Sequence, residues 1–227
     1  MKQKTQTCQG DDLFDPNTPT FWDKKISFHK NNIFKSPIYR HKNKLVFHII
    51  KKIKGNILDI GVGYGFIENL ILKHNLSLNI YGIDISKYAI QTVSKRIEGT
   101  FRVGSVLKIP FKSNLFDVIL VLDILEHISK SNIQNALFEI FRVLKNNGTL
   151  IITIPINENE NDKKNNGHLR SYKLSVMKSE LIQVGFKIVK TRSLYAFKSN
   201  YVIKSFVNNI LSIKKPNLLF LVVRKNI

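Results

Sequence analysis

The 227-residue chain predicts an α/β fold, a doubly wound sheet of seven strands, mostly parallel, with one antiparallel strand near the C-terminal edge. Three observations carry this expectation. Short β-branched runs alternate with amphipathic helical stretches through the middle of the chain, the order in which crossover helices join parallel strands. A glycine turn, Gly61-Val62-Gly63-Tyr64-Gly65, separates the first such run from the helix after it. Two further β runs follow the last helices, where a returning strand breaks the parallel order.

Each element has its own justification. Residues 1–36 are polar and irregular, with scattered aromatics (Phe14, Phe21, Trp22, Phe28, Phe34), and read as a tail that closes as a lid over the single domain 37–227. Over 37–53 the apolar positions Ile38, Leu45, Val46, Ile49, Ile50 and Ile53 recur at helical spacing, with Pro37 suited to a first turn. Residues 56–60 (NILDI) read as a buried strand, and 66–74 as a helix with Phe66, Ile67, Leu70 and Ile71 on one face. A strand at 78–83, a helix to Ile97 capped by Ser86, and strands at 101–103 and 116–122 continue the alternation. The helix 131–144 ends at Asn146-Asn147-Gly148, and 149–154 is a β-branched strand. The hydrophilic stretch 157–166 reads as a loop, 173–184 as a helix ended by Gly185, and 200–211 as a helix between strands near 186–195 and 218–224.

Composition excludes several classes. At 43% hydrophobic and 23% charged residues the chain is neither disordered nor a coiled-coil rod. The longest apolar runs, 118–122 and 218–223, fall far short of the ~18 residues of a membrane span, and the first twenty residues lack a signal-like apolar core, so a cytoplasmic location is expected. Cys8 is the one cysteine and can form neither an internal disulfide nor a thiolate metal site by itself. The net charge is +20, with Lys/Arg over Asp/Glu at 12 to 4 in 1–56, 10 to 8 in 57–156 and 14 to 4 in 157–227. The basic flanks admit an anionic partner, nucleic acid included. Against that, 29 lysines to 7 arginines favour a compositional origin, because phosphate-gripping surfaces tend to use the arginine fork.

In an open α/β sheet the ligand sits outside the carboxyl ends of the strands, where the first glycine turn lies. Asp84, 19 positions after Gly65, ends the second strand, where a carboxylate accepts from ribose hydroxyls. The spacing is G-x-G-x-G, and Asp59 just before it would repel a pyrophosphate, which disfavours NAD and FAD. An adenosine ligand with a cationic amino-acid tail suits both carboxylates.

The chain resembles the class I S-adenosylmethionine-dependent methyltransferases of the type 11-like group that includes ubiquinone-biosynthesis methyltransferases. The resemblance covers about 55–185 and is carried by ILDIGVGYG (57–65), YGIDIS (81–86), VGSVLKIPF (103–111), FDVILVLDILEHI (116–128) and RVLKNNGTLIITIP (142–155). It implies a Rossmann-like fold and S-adenosylmethionine as cofactor. It places Asp59, Gly61, Gly63 and Gly65 on the methionine half and Asp84 on the ribose. Ile85 then packs on adenine with Ser105 and Val106 at its edge, and Leu122 and Asp123 lie beside the sulfonium. The family usually has an acidic residue where Ser105 stands.

For the acceptor, the expectation is a small molecule methylated on oxygen or nitrogen, with His127, His168 and Asp123 as catalytic candidates beneath the tail and residues 157–172. The plain structural reading is that Asp123 ends its strand and His127 makes a polar contact. An alternative follows from Asp123, Glu126 and His127 at the first turn after a strand, a spacing that resembles the metal segment of ubiquinone-pathway O-methyltransferases and of small-RNA 2′-O-methyltransferases, with His168 completing the site. That reading brings a divalent metal and an RNA acceptor. A third is a cofactor-binding subunit that is inactive without a partner.

Overall fold

The computed structural model describes residues 18–28, 36–197 and 201–225. Helices α1 (Pro19–Phe28) and α2 (Pro37–Ile50) precede the sheet. There follow β1 (Gly55–Ile60), α3 (Phe66–Lys73), β2 (Leu78–Asp84), α4 (Lys87–Ser94), β3 (Thr100–Val103) and β4 (Phe116–Leu122). A 3₁₀ turn (Leu125–His127) leads to α5 (Ile133–Val143), β5 (Leu144–Pro155), α6 (Glu160–Asn166), α7 (Leu174–Val184), β6 (Phe186–Leu194), α8 (Tyr201–Leu211) and β7 (Leu218–Lys225).

The seven strands lie in the order β3-β2-β1-β4-β5-β7-β6. Strands β1 to β5 pair in parallel, and β7 runs antiparallel to both β5 and β6, so one strand near the C-terminal edge is reversed as the sequence predicts. Winding turns back between β1 and β4, which opens a crevice at their carboxyl ends. Both faces are covered. Met177 and Leu181 of α7 and Leu137 and Ile140 of α5 join Leu58, Ile119 and Ile152 on one face, while Val46, Ile71 and Val93 of α2, α3 and α4 join Ile57, Leu120 and Ile151 on the other. Central strands covered twice must be apolar throughout, hence the unbroken Val118–Val121 run, fully buried. The edge strand β6 exposes Lys187, Lys190 and Arg192, charges that discourage further strand pairing.

Three stretches depart from the sequence reading. Within the tail, α1 is helical although its own pattern is weak. Thr18 Oγ1 accepts the Phe21 N–H at its start, and contacts to the sheet end, described below, hold it. Phe14, Phe34 and Cys8 lie outside the described residues. The hydrophilic 157–166 stretch contains α6, which has no buried residue and stands on its caps: Asn159 accepts from the Asp162 N–H, and Gly167 ends it at φ 74°. Finally, β5 begins at Leu144, because Phe116 pairs with Leu144 ahead of a register shift and Asn147 takes φ 61° to carry the strand onward.

Candidate functional site

The crevice holds a cavity of about 1450 Å³. Its floor is the glycine turn. A Cβ on Gly61 would stand 2.3 Å from Ile124 Cδ1, the movable end of a side chain, so it is the backbone, at φ 82°, that restricts this position. Gly63, at φ 52°, has no atom other than the Gly61 carbonyl oxygen, 3.9 Å away, near its missing Cβ, so a side chain there would fill the cavity itself. Asp84 fastens this turn to the end of β2: one carboxylate oxygen accepts the Gly63 N–H (2.9 Å), the other the Ser86 N–H (2.8 Å). Burial pushes Asp84 up, and those two amides oppose it.

Asp59 is buried, and its Oδ1 has no hydrogen-bond partner. Burial and the neighbouring Glu68 carboxyl, buried on the first turn of α3, push it well above the usual carboxylate range. The floor therefore presents carboxyls and amides, a donor and acceptor set that fits a cationic amino-acid tail and ribose hydroxyls and does not fit a pyrophosphate. Ile85, Val106 and Leu122 line the same space. Ser105 also lines it, but its Oγ accepts the Leu107 N–H at 3.2 Å and so serves its own turn. Gly65 does not line the cavity; at φ 69° it caps α3 from beneath.

The opposite wall is assembled from distant segments. Asp123, at φ 58°, receives the Lys42 ammonium on Oδ2 at 2.5 Å and the Thr153 hydroxyl on Oδ1 at 2.7 Å. Burial raises Asp123, but Lys42, together with the Thr153 hydroxyl and His127, holds the carboxyl below its ordinary range. Beyond it, His127 Nδ1 lies 3.0 Å from the Gly167 carbonyl; that oxygen only accepts, so Nδ1 carries the proton and a neutral ring leaves Nε2 with a lone pair. Burial lowers His127 to about 4, so the ring is neutral at pH 7. His168 stands edge-on to it at 4.8 Å, with Nδ1 2.7 Å from Glu158 and Nε2 4.0 Å from Glu126. Glu126 is fully buried with neither carboxyl oxygen hydrogen-bonded, and burial pushes it well up.

Thus Glu126, His127 and His168 form one cluster whose ligating atoms lie within 4.8 Å of one another, while Asp123, the fourth residue of the metal reading, is paired with Lys42. Glu126 and His168 stand behind His127, which alone of the three lines the cavity. Within the 157–172 stretch, Arg170 and Tyr172 bond each other at 2.6 Å, and Arg170 pairs with Glu180.

Helix α1 closes the roof. The Trp22 ring meets His127 edge-on at 4.7 Å. Asp23 accepts the Ser86 hydroxyl (2.5 Å) and the Tyr88 N–H (3.0 Å) at the start of α4. The Ile26 carbonyl accepts from Tyr64 of the glycine turn (2.9 Å), and Lys25 reaches the Asn166 carbonyl at the end of α6 (2.9 Å).

Residues 58–152 match the methyltransferase domain family. The chain is 33% identical over 165 residues to the uncharacterized protein MJ0638 of Methanocaldococcus jannaschii, covering 70% of this chain and 68% of that one. The chain belongs to the class I S-adenosylmethionine-dependent methyltransferases. It is 30% identical to phosphoethanolamine N-methyltransferase of Plasmodium falciparum over 115 residues, 48% of this methyltransferase and 42% of that enzyme. With sterol 24-C-methyltransferase of Schizosaccharomyces pombe it shares 27% over 128 residues, 53% of its own length and 33% of that enzyme's, so it spans less than half of either. Among solved structures, the N-methyltransferase NodS of Bradyrhizobium japonicum in complex with S-adenosylhomocysteine superposes with a TM-score of 0.68 at 14% identity, over 90% of this chain and 98% of that one. S-adenosylmethionine is the cofactor of the methyltransferase, and the acidic floor fits it.

Sequence reasoning missed Lys42, Glu68 and Tyr39, whose ring centre lies 4.4 Å from the Lys42 ammonium. A signal for Lys42 was present: positions 38, 42, 46 and 50 form one i, i+4 stripe on α2, apolar except for this lysine. A charge in an apolar stripe is buried against a partner, here Asp123.

Proposed function

We propose that the protein transfers a methyl group from S-adenosylmethionine to an oxygen or nitrogen atom of a small-molecule acceptor. The observation that carries this reading is the neutral His127, with Nε2 unprotonated, on the wall of a cavity larger than the ~300–1,000 Å³ that a single ligand takes. Bound S-adenosylmethionine supplies an electrophilic methyl on a sulfonium, open to in-line attack. Asp84 accepts from the ribose hydroxyls. Asp59, Gly61 and Gly63 hold the methionine end, with Gly65 setting the turn. Ile85 and Val106 pack on the adenine with Ser105 at its edge, and Leu122 and Asp123 flank the sulfonium. His127 takes the proton that the acceptor loses, and His168, held by Glu158, keeps His127 and the Gly167 segment in place. Trp22 and α1 exclude water. The phosphoethanolamine N-methyltransferase relative supports transfer to nitrogen of a small acceptor, and the sterol 24-C-methyltransferase relative supports a small acceptor without bearing on the oxygen or nitrogen atom.

The test is transfer of labelled methyl from S-adenosylmethionine into a fractionated cell extract, with each labelled fraction treated with ribonuclease and the assay repeated with chelator. Label is expected in nuclease-resistant small molecules, indifferent to chelator. Label lost to ribonuclease would replace the acceptor with RNA. Turnover lost on chelation and restored by Mn²⁺ would turn Glu126, His127 and His168 into metal ligands. Turnover only after a second polypeptide is added would make the chain a cofactor-binding subunit.

A further inference from the structure

We propose that α8 and the turn after it dock on an anionic membrane surface. The helix is turned inside out. Ser205 and Asn208 are buried, whereas Phe206, Ile210 and Leu211 are 66%, 67% and 61% exposed and Ile213, just beyond, 76%. None of its described side chains joins either core cluster. The orientation is held by a polar clamp: Asn208 Oδ1 accepts the Lys214 N–H (2.6 Å), and Asn208 Nδ2 donates to the Lys214 carbonyl (3.0 Å), which folds the turn beneath the helix and keeps the apolar side outward. An exposed apolar ridge of this kind marks a surface that is covered in use.

Charge decides the occupant. Residues 181–227 hold nine lysines and arginines and no aspartate or glutamate. Lys204 and Lys215 are exposed on the helix and the turn after it, Lys214 is exposed while donating to the Ala196 carbonyl (2.8 Å), and Lys190 and Arg192 are exposed on β6, which leads into α8. A second copy of the chain packed ridge to ridge would press these like charges together. RNA would take the charges and leave Phe206, Ile210 and Leu211 in water. A leaflet containing anionic lipid satisfies both, its acyl chains receiving the apolar side chains and its headgroups the lysines. Because α8 joins the carboxyl end of β6 to the start of β7, it stands at the end of the sheet where the cavity opens. Docking there sets the cavity and the lipid surface at the same end of the molecule.

The experiment is flotation of the full chain with vesicles of phosphatidylcholine alone and of phosphatidylcholine mixed with phosphatidylglycerol. The chain is expected to float with the mixed vesicles and to be released by salt. Phe206→Ser together with Ile210→Ser should lower the bound fraction roughly tenfold, and Lys215→Glu by about fivefold, both with unchanged melting temperature because these side chains already face water. Absence of flotation with either vesicle overturns the proposal. A concentration-dependent dimer broken by the double variant, or retention on RNA without flotation, overturns it in favour of a second copy or of RNA. No arm needs methyl transfer, so failure of the proposed reaction leaves this test intact.

Discussion

The two sides of the cavity are built on opposite plans. The side proposed for the cofactor comes from residues 59–106, a contiguous run of strands and helices, fastened by backbone amides to Asp84 and carrying Asp59 with its Oδ1 unbonded. The other side is brought together from α1, α2, the end of β4 and the segment after α6, and its central carboxylate is neutralised by Lys42 from 81 positions away. A site for a ligand common to a whole family can be local, because one loop and one carboxylate suffice. A wall that meets a particular acceptor draws on segments free to differ, and they stay in place only through long-range charge pairs and caps.

The largest effect should come from breaking the charge pair, and it should be lopsided. Lys42 is 4% exposed and Asp123 37%, open to the cavity. Asp123→Ala therefore strands a buried ammonium, for about 3–5 kcal/mol and a correspondingly lower melting temperature. Lys42→Met leaves a carboxylate that cavity water reaches, and should cost about a third as much. Equal losses would mean that the two walls do not differ in how they hold charge.

Acid should weaken the acceptor wall. The unfolded chain protonates His127 near 6.5 and the fold near 4, so between these values the unfolded state binds more protons and stability falls as pH drops through that window. The whole effect is at most ~3 kcal/mol, and His127→Asn should flatten it in melts at stepped pH. A variant whose acid slope matches the parent would place the acid sensitivity elsewhere.

On the cofactor side, Asp84→Ala leaves the Gly63 and Ser86 amides without an acceptor, for about 1–3 kcal/mol, and should weaken S-adenosylhomocysteine by roughly 10–100-fold in calorimetry. Gly63→Val, with a side chain inside the cavity, should abolish binding at attainable concentrations. Unchanged affinity in both would detach the glycine turn from the cofactor.

What was legible in the sequence follows the same division. The sheet, its reversed strand and the glycine turn are set by local periodicity and by glycines whose positive φ few other residues adopt cheaply, so they read directly. The position of Asp84 at the end of β2, beside the glycine turn, was legible from its distance to Gly65. The roof was not, because Pro19–Phe28 has little apolar periodicity and owes its place to Asp23, Tyr64 and Lys25 meeting partners far along the chain. Likewise, His127 and His168 are 41 positions apart, and the turn of α6 into Gly167, with the Leu169 and Arg170 N–H groups on the Glu126 carbonyl, brings their rings together. Composition placed α6 in a loop, since its helix rests on Asn159 and Gly167 and buries nothing.

The smallest effect is the most direct probe of whether the roof belongs to the acceptor wall. Asp23 receives two hydrogen bonds at the start of α4, but Ser86 Oγ also caps that helix by accepting the Ala89 N–H, so Asp23→Ala removes a docking contact without uncapping α4. The loss should be about 0.5–1 kcal/mol, felt as looser seating of α1. Trp22 is the single tryptophan and lies against His127, so its fluorescence reports that seating alone. In the parent chain the emission should be that of a half-buried indole, quenched as His127 gains a proton below pH 5. In Asp23→Ala it should shift to the red and lose the acid quench, with S-adenosylhomocysteine affinity within about threefold of the parent. If the emission shifts and cofactor affinity collapses with it, α1 is part of the cofactor side and the division between the two walls is misplaced.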